Sequence, residues 1–423
     1  MKYTKKDLGS YNLHFINTDK FKTITIRIIF YTPIKKEDIT KRNLLTSILL
    51  QSSKKYNSRR KLTIESEELY AADISANNQR LGNYIFTSFN LQVLNDKYTE
   101  EGNIEKAIEF LKEILFNPDV EDGKWKEDKL SLVKHNAETT YDSIKEDSTS
   151  YSLMRMAEAY DEESPISYRT IGYREDLENI TSEDLWDCYQ KMLENDFVDI
   201  FVIGDFNNRE MLSLIKKNYK FTKLKKRKTS YIVKNKKPRK RRILAKESIN
   251  NTQSKLSIAC PVQNMSEYER NYSLVLANLI LGGGTDSKLF QEVREKNSLC
   301  YTIHSFYNKL DNLLVITAGI DKNNLTKTVN LITKNLNDMK KGKFSEKDIE
   351  VAKEFYYTSA EELEESDNRI INEYLTESIL GLEPIEERVK KIGKVKKQEI
   401  VKVCKKISMD TIFLLEGTKH EED

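Results

Sequence analysis

Apolar residues at Ile104, Ala107, Ile108, Leu111, Ile114 and Leu115 recur at helical spacing, which predicts an amphipathic helix over 104–115. The same reading predicts helices over 181–192, 272–281, 325–339 and 396–407, and Thr181 or Ser182 supplies a capping-type start for the first of these. Runs rich in β-branched and aromatic residues, bounded by polar turns, predict strands over 23–31, 84–93, 254–259 and 313–318. Further strands are expected at 198–204, 299–307 and 411–417.

Part of this pattern occurs twice. The helix over 181–192 and the strand Val198-Asp-Ile-Phe-Val-Ile-Gly204 are matched by the helix over 396–407 and Thr411-Ile-Phe-Leu-Leu-Glu-Gly417. The helix over 104–115 is matched in order by Leu325 through Met339, again offset by about half the chain. The fold expected is an α+β duplication, two homologous halves that each cover an antiparallel sheet with helices. The period is too long for a solenoid. The halves are placed at 1–220 and 251–423, with a basic linker at 221–250.

Charge marks that junction. Lys216 through Lys246 contains 16 Lys or Arg and no Asp or Glu, although the net charge of the chain is only +3. Such a stretch can grip nucleic acid or an acidic surface. A solvated linker is the simpler reading, because the stretch lies between two globular-looking halves and lacks the interleaved aromatics of a single-strand binder. Nucleic acid is therefore not expected as a partner, and a protein acting on it through 216–246 is a third class of function.

With 423 residues the chain can bury its own core without disulfides or a structural metal. No apolar run approaches the roughly 18 residues of a membrane span, and the basic amino terminus lacks the apolar stretch of a secretory signal. A cytoplasmic protein with no membrane partner is expected. The four cysteines, Cys188, Cys260, Cys300 and Cys404, are too dispersed for a zinc ribbon or a redox pair and are read as reduced, mostly buried thiols. The four histidines are equally scattered, with no two within four residues of each other.

The most specific local sequence is Leu279-Ile-Leu-Gly282-Gly-Gly-Thr-Asp-Ser-Lys-Leu-Phe-Gln-Glu-Val-Arg294-Glu-Lys-Asn-Ser-Leu-Cys-Tyr301. A helix ends at three glycines, which supply left-handed or close-approach backbone, and a short helix then begins near Asp286 or Ser287. No Gly-Lys-Ser/Thr follows, so this is not a phosphate loop. Taken alone, Arg294 reads as an ion-pair partner of Glu292 or Glu295 and Tyr301 as a half-buried strand aromatic.

The run GGGxxSxLFQxxREKxxLxY resembles the carboxy-terminal half of the insulinase-type (pitrilysin, mitochondrial processing peptidase) metallopeptidases, whose duplicated α+β units also suit the repeat. The resemblance follows the order of elements through nearly the whole chain, and only this run is dense. It implies that Arg294 and Tyr301 bind the substrate backbone opposite the metal. Ser298 and Cys300 depart from the family, standing where Gly and Ala are common. Chemically, a forked guanidinium and a directional phenol donor can together hold a peptide carbonyl and stabilise charge on its oxygen.

Active members carry HxxEH on the first helix of the amino-terminal half, with two histidines binding zinc and a Glu activating water. By order of elements, and by the following Gln51-Ser-Ser-Lys-Lys55, that helix corresponds to Asn43-Leu-Leu-Thr46-Ser47. Asn43 and Ser47 then replace the histidines and Thr46 the base. The family's third ligand, a downstream Glu, falls at Thr139 or Thr140, with Glu138 nearby. Neutral oxygens of this kind do not form a tight catalytic zinc site, so no metal is expected in this chain. His135 and Glu138 lie three apart on a helix, but no second pair completes a site. His304 has no nucleophile elbow to serve, and Glu361-Glu-Leu-Glu-Glu365 reads as a solvated face.

The resemblance thus implies a catalytically silent, substrate-binding subunit of a heterodimeric zinc metallopeptidase. Its partner would be a chain of similar size bearing HxxEH and zinc, and its substrate a peptide. Within the family the chain looks most like metal-free members found beside a metal-bearing one in Firmicute-like bacteria, including those associated with elongation factor P aminopentanol modification. The alternative is a non-catalytic peptide- or protein-binding pseudopeptidase attached to a modification pathway.

Overall fold

The structure, a computed structural model, describes residues 1–222 and 230–418. The first half runs β1 (Lys2–Asp7), β2 (Asn12–Asn17), β3 (Thr23–Pro33), α1 (Lys36–Leu49), α2 (Arg59–Glu68), β4 (Asp73–Leu81), β5 (Tyr84–Leu94), α3 (Asn103–Phe116), the two-residue strands β6 (Val120–Glu121) and β7 (Lys124–Trp125), α4 (Glu127–Ser143), α5 (Ser148–Tyr160), α6 (Ser182–Asn195), β8 (Phe197–Gly204) and α7 (Asn208–Asn218). The second runs β9 (Ile243–Ile249), β10 (Ser254–Pro261), α8 (Leu274–Gly282), β11 (Cys300–Asn308), β12 (Leu313–Ile320), α9 (Leu325–Lys340), α10 (Glu346–Glu362), α11 (Asp367–Leu380), α12 (Ile385–Lys394), α13 (Lys397–Cys404) and β13 (Thr411–Gly417). No helix among the described residues is long and apolar enough to cross a membrane.

The duplication is visible in the strand order. The first sheet is β1-β2-β8-β3-β5-β4 and the second, taken from its other end, is β9-β13-β10-β12-β11. Without the extra hairpin strand β1, each strand of one sheet has a counterpart in the other. In both sheets one pair is parallel, β2 with β8 and β9 with β13, and every other pair is antiparallel. The sheets are therefore mixed, where purely antiparallel ones were expected. The parallel pair joins β2 or β9 to the last strand of its own sheet, and the intervening elements provide the long connection that parallel pairing needs.

The chain groups into two compact units, Met1–Ser143 with Arg169–Thr229, and Ile144–Tyr168 with Ser230–Asp423. This differs from a cut at 220, because α5 belongs with the second sheet. Tyr151, Met156 and Tyr160 of α5 pack on Ala259, Leu313, Val315, Phe413 and Leu415, while Ser152 hydrogen-bonds Ser257 at 2.8 Å. The opposite face of this sheet, with Leu256, Ile258, Leu314, Ile316 and Leu414, packs against the cluster built by α8, α9 and α13. Burial on both faces is the reason Leu313–Ile320 is almost continuously apolar.

The basic segment also differs from a free linker. Its end, 243–249, is the edge strand β9, paired in register with the whole of β13. Before it, Val233 is buried and donates its N–H to Leu310 at 2.7 Å, Asn235 donates to the carbonyls of Asp311 and Asn312, and the backbone of Arg239 donates to Asp410 at 2.7 Å. Lys225-Lys-Arg-Lys228 lies outside the described residues.

Candidate functional site

In the first unit, α1 carries Asn43, Thr46 and Ser47 on one face. The Asn43 amide donates to the carbonyl of Thr170 at 2.6 Å. The hydroxyls of Thr46 and Ser47 both donate back to the Asn43 carbonyl, at 2.9 and 3.1 Å. Thr46 is buried and accepts from Asn78 of β4 at 3.2 Å. On α4, which packs against α1, Thr139 and Thr140 are exposed, and their hydroxyls bond the carbonyls of His135 and Asn136. His135 is exposed and lies 3.8 Å from Glu138.

This donor set does not fit zinc. Its oxygens are neutral and committed to backbone, and among the described residues no three His, Cys, Asp or Glu side chains come together as a metal site. Zinc added to the isolated chain is expected to leave its melting temperature unchanged, whereas a ligand at 100 times its Kd would stabilise it by about 2.7 kcal/mol. A saturable rise on a thermal scan would overturn this.

What α1 does hold is a buried polar network. Arg42 is bidentate to Asp196 at 2.8 and 3.0 Å and donates to Thr87 at 3.2 Å. Thr87 in turn donates to Asn78, which also bonds the Arg42 carbonyl. Arg42 and Asp196 are absent from the sequence reading, since a lone Arg on a helix gives no sign of a partner 154 residues away.

In the second unit, α8 ends against β11. None of the three glycines is left-handed. A Cβ on Gly282 would sit 2.6 Å from the Ser305 hydroxyl, so close approach is the operative reason for glycine there. Ser305 donates to Asn278 at 2.8 Å, fixing the strand to the helix.

The helix that follows is not regular. Phe290–Glu295 is a π-turn, with Lys296 donating to Gln291 at 3.0 Å, and π-turns cluster at functional sites. Ser298 then takes φ +50°, the left-handed conformation that glycine adopts freely. Tyr301 falls in a β-bulge, where the register of β11 on β12 slips between Cys300 and Thr302. Bulges re-aim side chains, and Tyr301 is 73% exposed on this edge strand. A half-buried strand aromatic is thus not what the structure contains.

Arg294 is partly exposed, its guanidinium 4.6 Å from the Phe290 ring centroid and 5.5 Å from that of Tyr301. Glu292 is engaged by Lys296 at 2.6 Å, and Glu295 lies 3.6 Å from Arg294, too far for a strong hydrogen bond. Ring contacts therefore orient the guanidinium, its Nε faces Glu295 in the loose ion pair that the sequence suggested, and the terminal nitrogens of the fork remain for a ligand. Burial pushes the Cys300 thiol up to about 11 and holds His304 below its usual range.

The chain has similarities to known proteins. Residues 179–356 match the family described as peptidase M16 inactive domain. The chain is 28% identical, over 98% of both lengths, to a Bacillus subtilis (strain 168) protein named "Probable inactive metalloprotease YmfF". An 89-residue stretch, 21% of this chain and 22% of the relative, is 34% identical to "Uncharacterized zinc protease YmxG" of the same organism. Among solved structures, a conserved protein from Enterococcus faecalis V583 superposes with a TM-score of 0.89 at 29% identity, covering 99% of this chain and 100% of that one. With the repeat, the dense run and an α1 unfit for metal all present, the chain is similar to the M16, insulinase-type, peptidases, and its residues 179–356 match that family's inactive domain.

Proposed function

We propose that this chain is the silent, substrate-binding subunit of a two-chain metallopeptidase, holding a peptide at Arg294 and Tyr301 for a partner that carries HxxEH and zinc. The observation that carries the reading is the pairing of an exposed, bulge-mounted Tyr301 with an oriented Arg294 in a chain whose α1 has no metal ligands. Loss of both halves of the machinery would suit a relic, whereas here the binding half keeps a specialised backbone. The partner supplies the metal and the base. This chain contributes two donors to the peptide carbonyl and, in β11, a sheet edge along which an extended peptide lies as an added strand.

The relatives support a division of labour, because a protein named inactive and one named zinc protease occur in one organism. Native-level purification from the source cells tests the pairing. A near-stoichiometric second chain of similar size bearing HxxEH is expected, and recovery of the chain alone, or with a modifying enzyme or nucleic acid, would sink it.

A further inference from the structure

Beside Tyr301, within the second unit, lies a cavity of about 410 Å³ that the Arg/Tyr pair does not explain. We infer that it is a side-chain subsite for an uncharged, hydrogen-bonding residue of the bound peptide, an amide or a hydroxyl. The inference rests on the reading that peptide is held at Arg294 and Tyr301.

The cavity is built at the end of the sheet, where β10 begins and β12 and β13 finish, and the bulge that lifts Tyr301 forms part of its wall. Two glycines let its walls approach closely. A Cβ on Gly319 would stand 2.7 Å from the Gln253 side-chain oxygen, and one on Gly417 would stand 2.5 Å from the Asn251 carbonyl. Neither glycine has a positive φ, so each is needed for space and not for conformation. Glycine inside a strand otherwise marks a weakness or a place where something approaches closely.

The lining is polar and close to neutral. Gln253 accepts from Lys255 at 2.7 Å, which orients its carboxamide and leaves the Nε2 donors without a partner among the described residues. Asp321 is committed to the Asn323 N–H at 2.7 Å, and Lys322 lies 3.8 Å from Glu416. Asn323 and Asn324 complete the wall with carboxamides that can both donate and accept. An apolar side chain entering here would leave those groups desolvated and unpaired, and a charged one of either sign would meet a like charge, Lys322 or Asp321, in the same lining. A glutamine, asparagine, serine or threonine side chain would exchange water for direct bonds, as selective polar pockets do.

The test is binding of a positional-scanning library of end-blocked, fluorescein-labelled decapeptides to the full chain, read by anisotropy. At one position, amide and hydroxyl residues are expected to bind about tenfold more tightly than leucine. Asn323→Leu, at an exposed turn residue, and Gln253→Met should each abolish that preference without weakening the leucine peptide. Tyr301→Phe should weaken all peptides alike. A preference absent from a chain that still binds peptide, or one untouched in both pocket variants, overturns the subsite and leaves the Arg/Tyr reading standing. If no peptide in the library binds, both readings fall.

Discussion

Tyr301→Phe in the two-chain enzyme lowers peptide turnover by about one to three orders of magnitude, a span that includes the roughly 10²–10³ lost when one oxyanion donor is removed. Tyr301 is 73% exposed and sits in a bulge, so its hydroxyl is not part of any core and its loss has little effect on folding. Phe keeps the ring that stands beside Arg294 and deletes only the donor. Arg294→Lys is expected to behave similarly, because an ammonium has neither the fork nor the planar surface that fits between two rings. Steady-state kinetics on the reconstituted pair, with melting temperatures to show that both variants fold, measure the effect. Turnover equal to wild type in both would remove Arg294 and Tyr301 from the reaction.

Asp196→Ala destabilises the chain by about 3–5 kcal/mol, the cost of leaving a buried charge without its partner. Arg42 and Asp196 are each buried and the pair is bidentate, where α1 packs against α6 and β4, so loss of the carboxylate leaves the guanidinium without its partner. The loss should appear as a lower urea midpoint at unchanged slope. Replacing both partners, Arg42→Met with Asp196→Leu, should restore much of it, because two apolar groups of similar volume leave nothing unsatisfied. Equal losses in the single and double variants would mean that the ion pair is not what the site depends on.

Much of the architecture was legible because it was written twice. The helix ahead of Val198–Gly204 and the one ahead of Thr411–Gly417 start and stop on local signals, and Thr181 does cap its helix with a reciprocal bond from Asp184. Asn43, Thr46 and Ser47 were placed on the first helix by order of elements, and they do lie together on α1. What escaped depends on distant partners. The strand β9 alternates half-buried with exposed residues, and Lys246 and its basic neighbours make it look like linker. The apolar face of α5 is plain in Tyr151, Met156 and Tyr160, but periodicity does not say which sheet it covers. The π-turn at Phe290–Glu295 and the bulge at Tyr301 are choices of hydrogen-bond register that packing decides, and Ser298 hides the left-handed step that a glycine would have announced.

The most direct measurement is cleavage of a peptide library by this chain alone, by the purified HxxEH-bearing chain alone, and by the two mixed at equal concentration. The expected result is cleavage by the mixture, little or none by either chain, and a peak at one-to-one stoichiometry. A partner that is fully active by itself and indifferent to this chain, or a mixture that remains inactive, would contradict the central claim that the two chains share one active site.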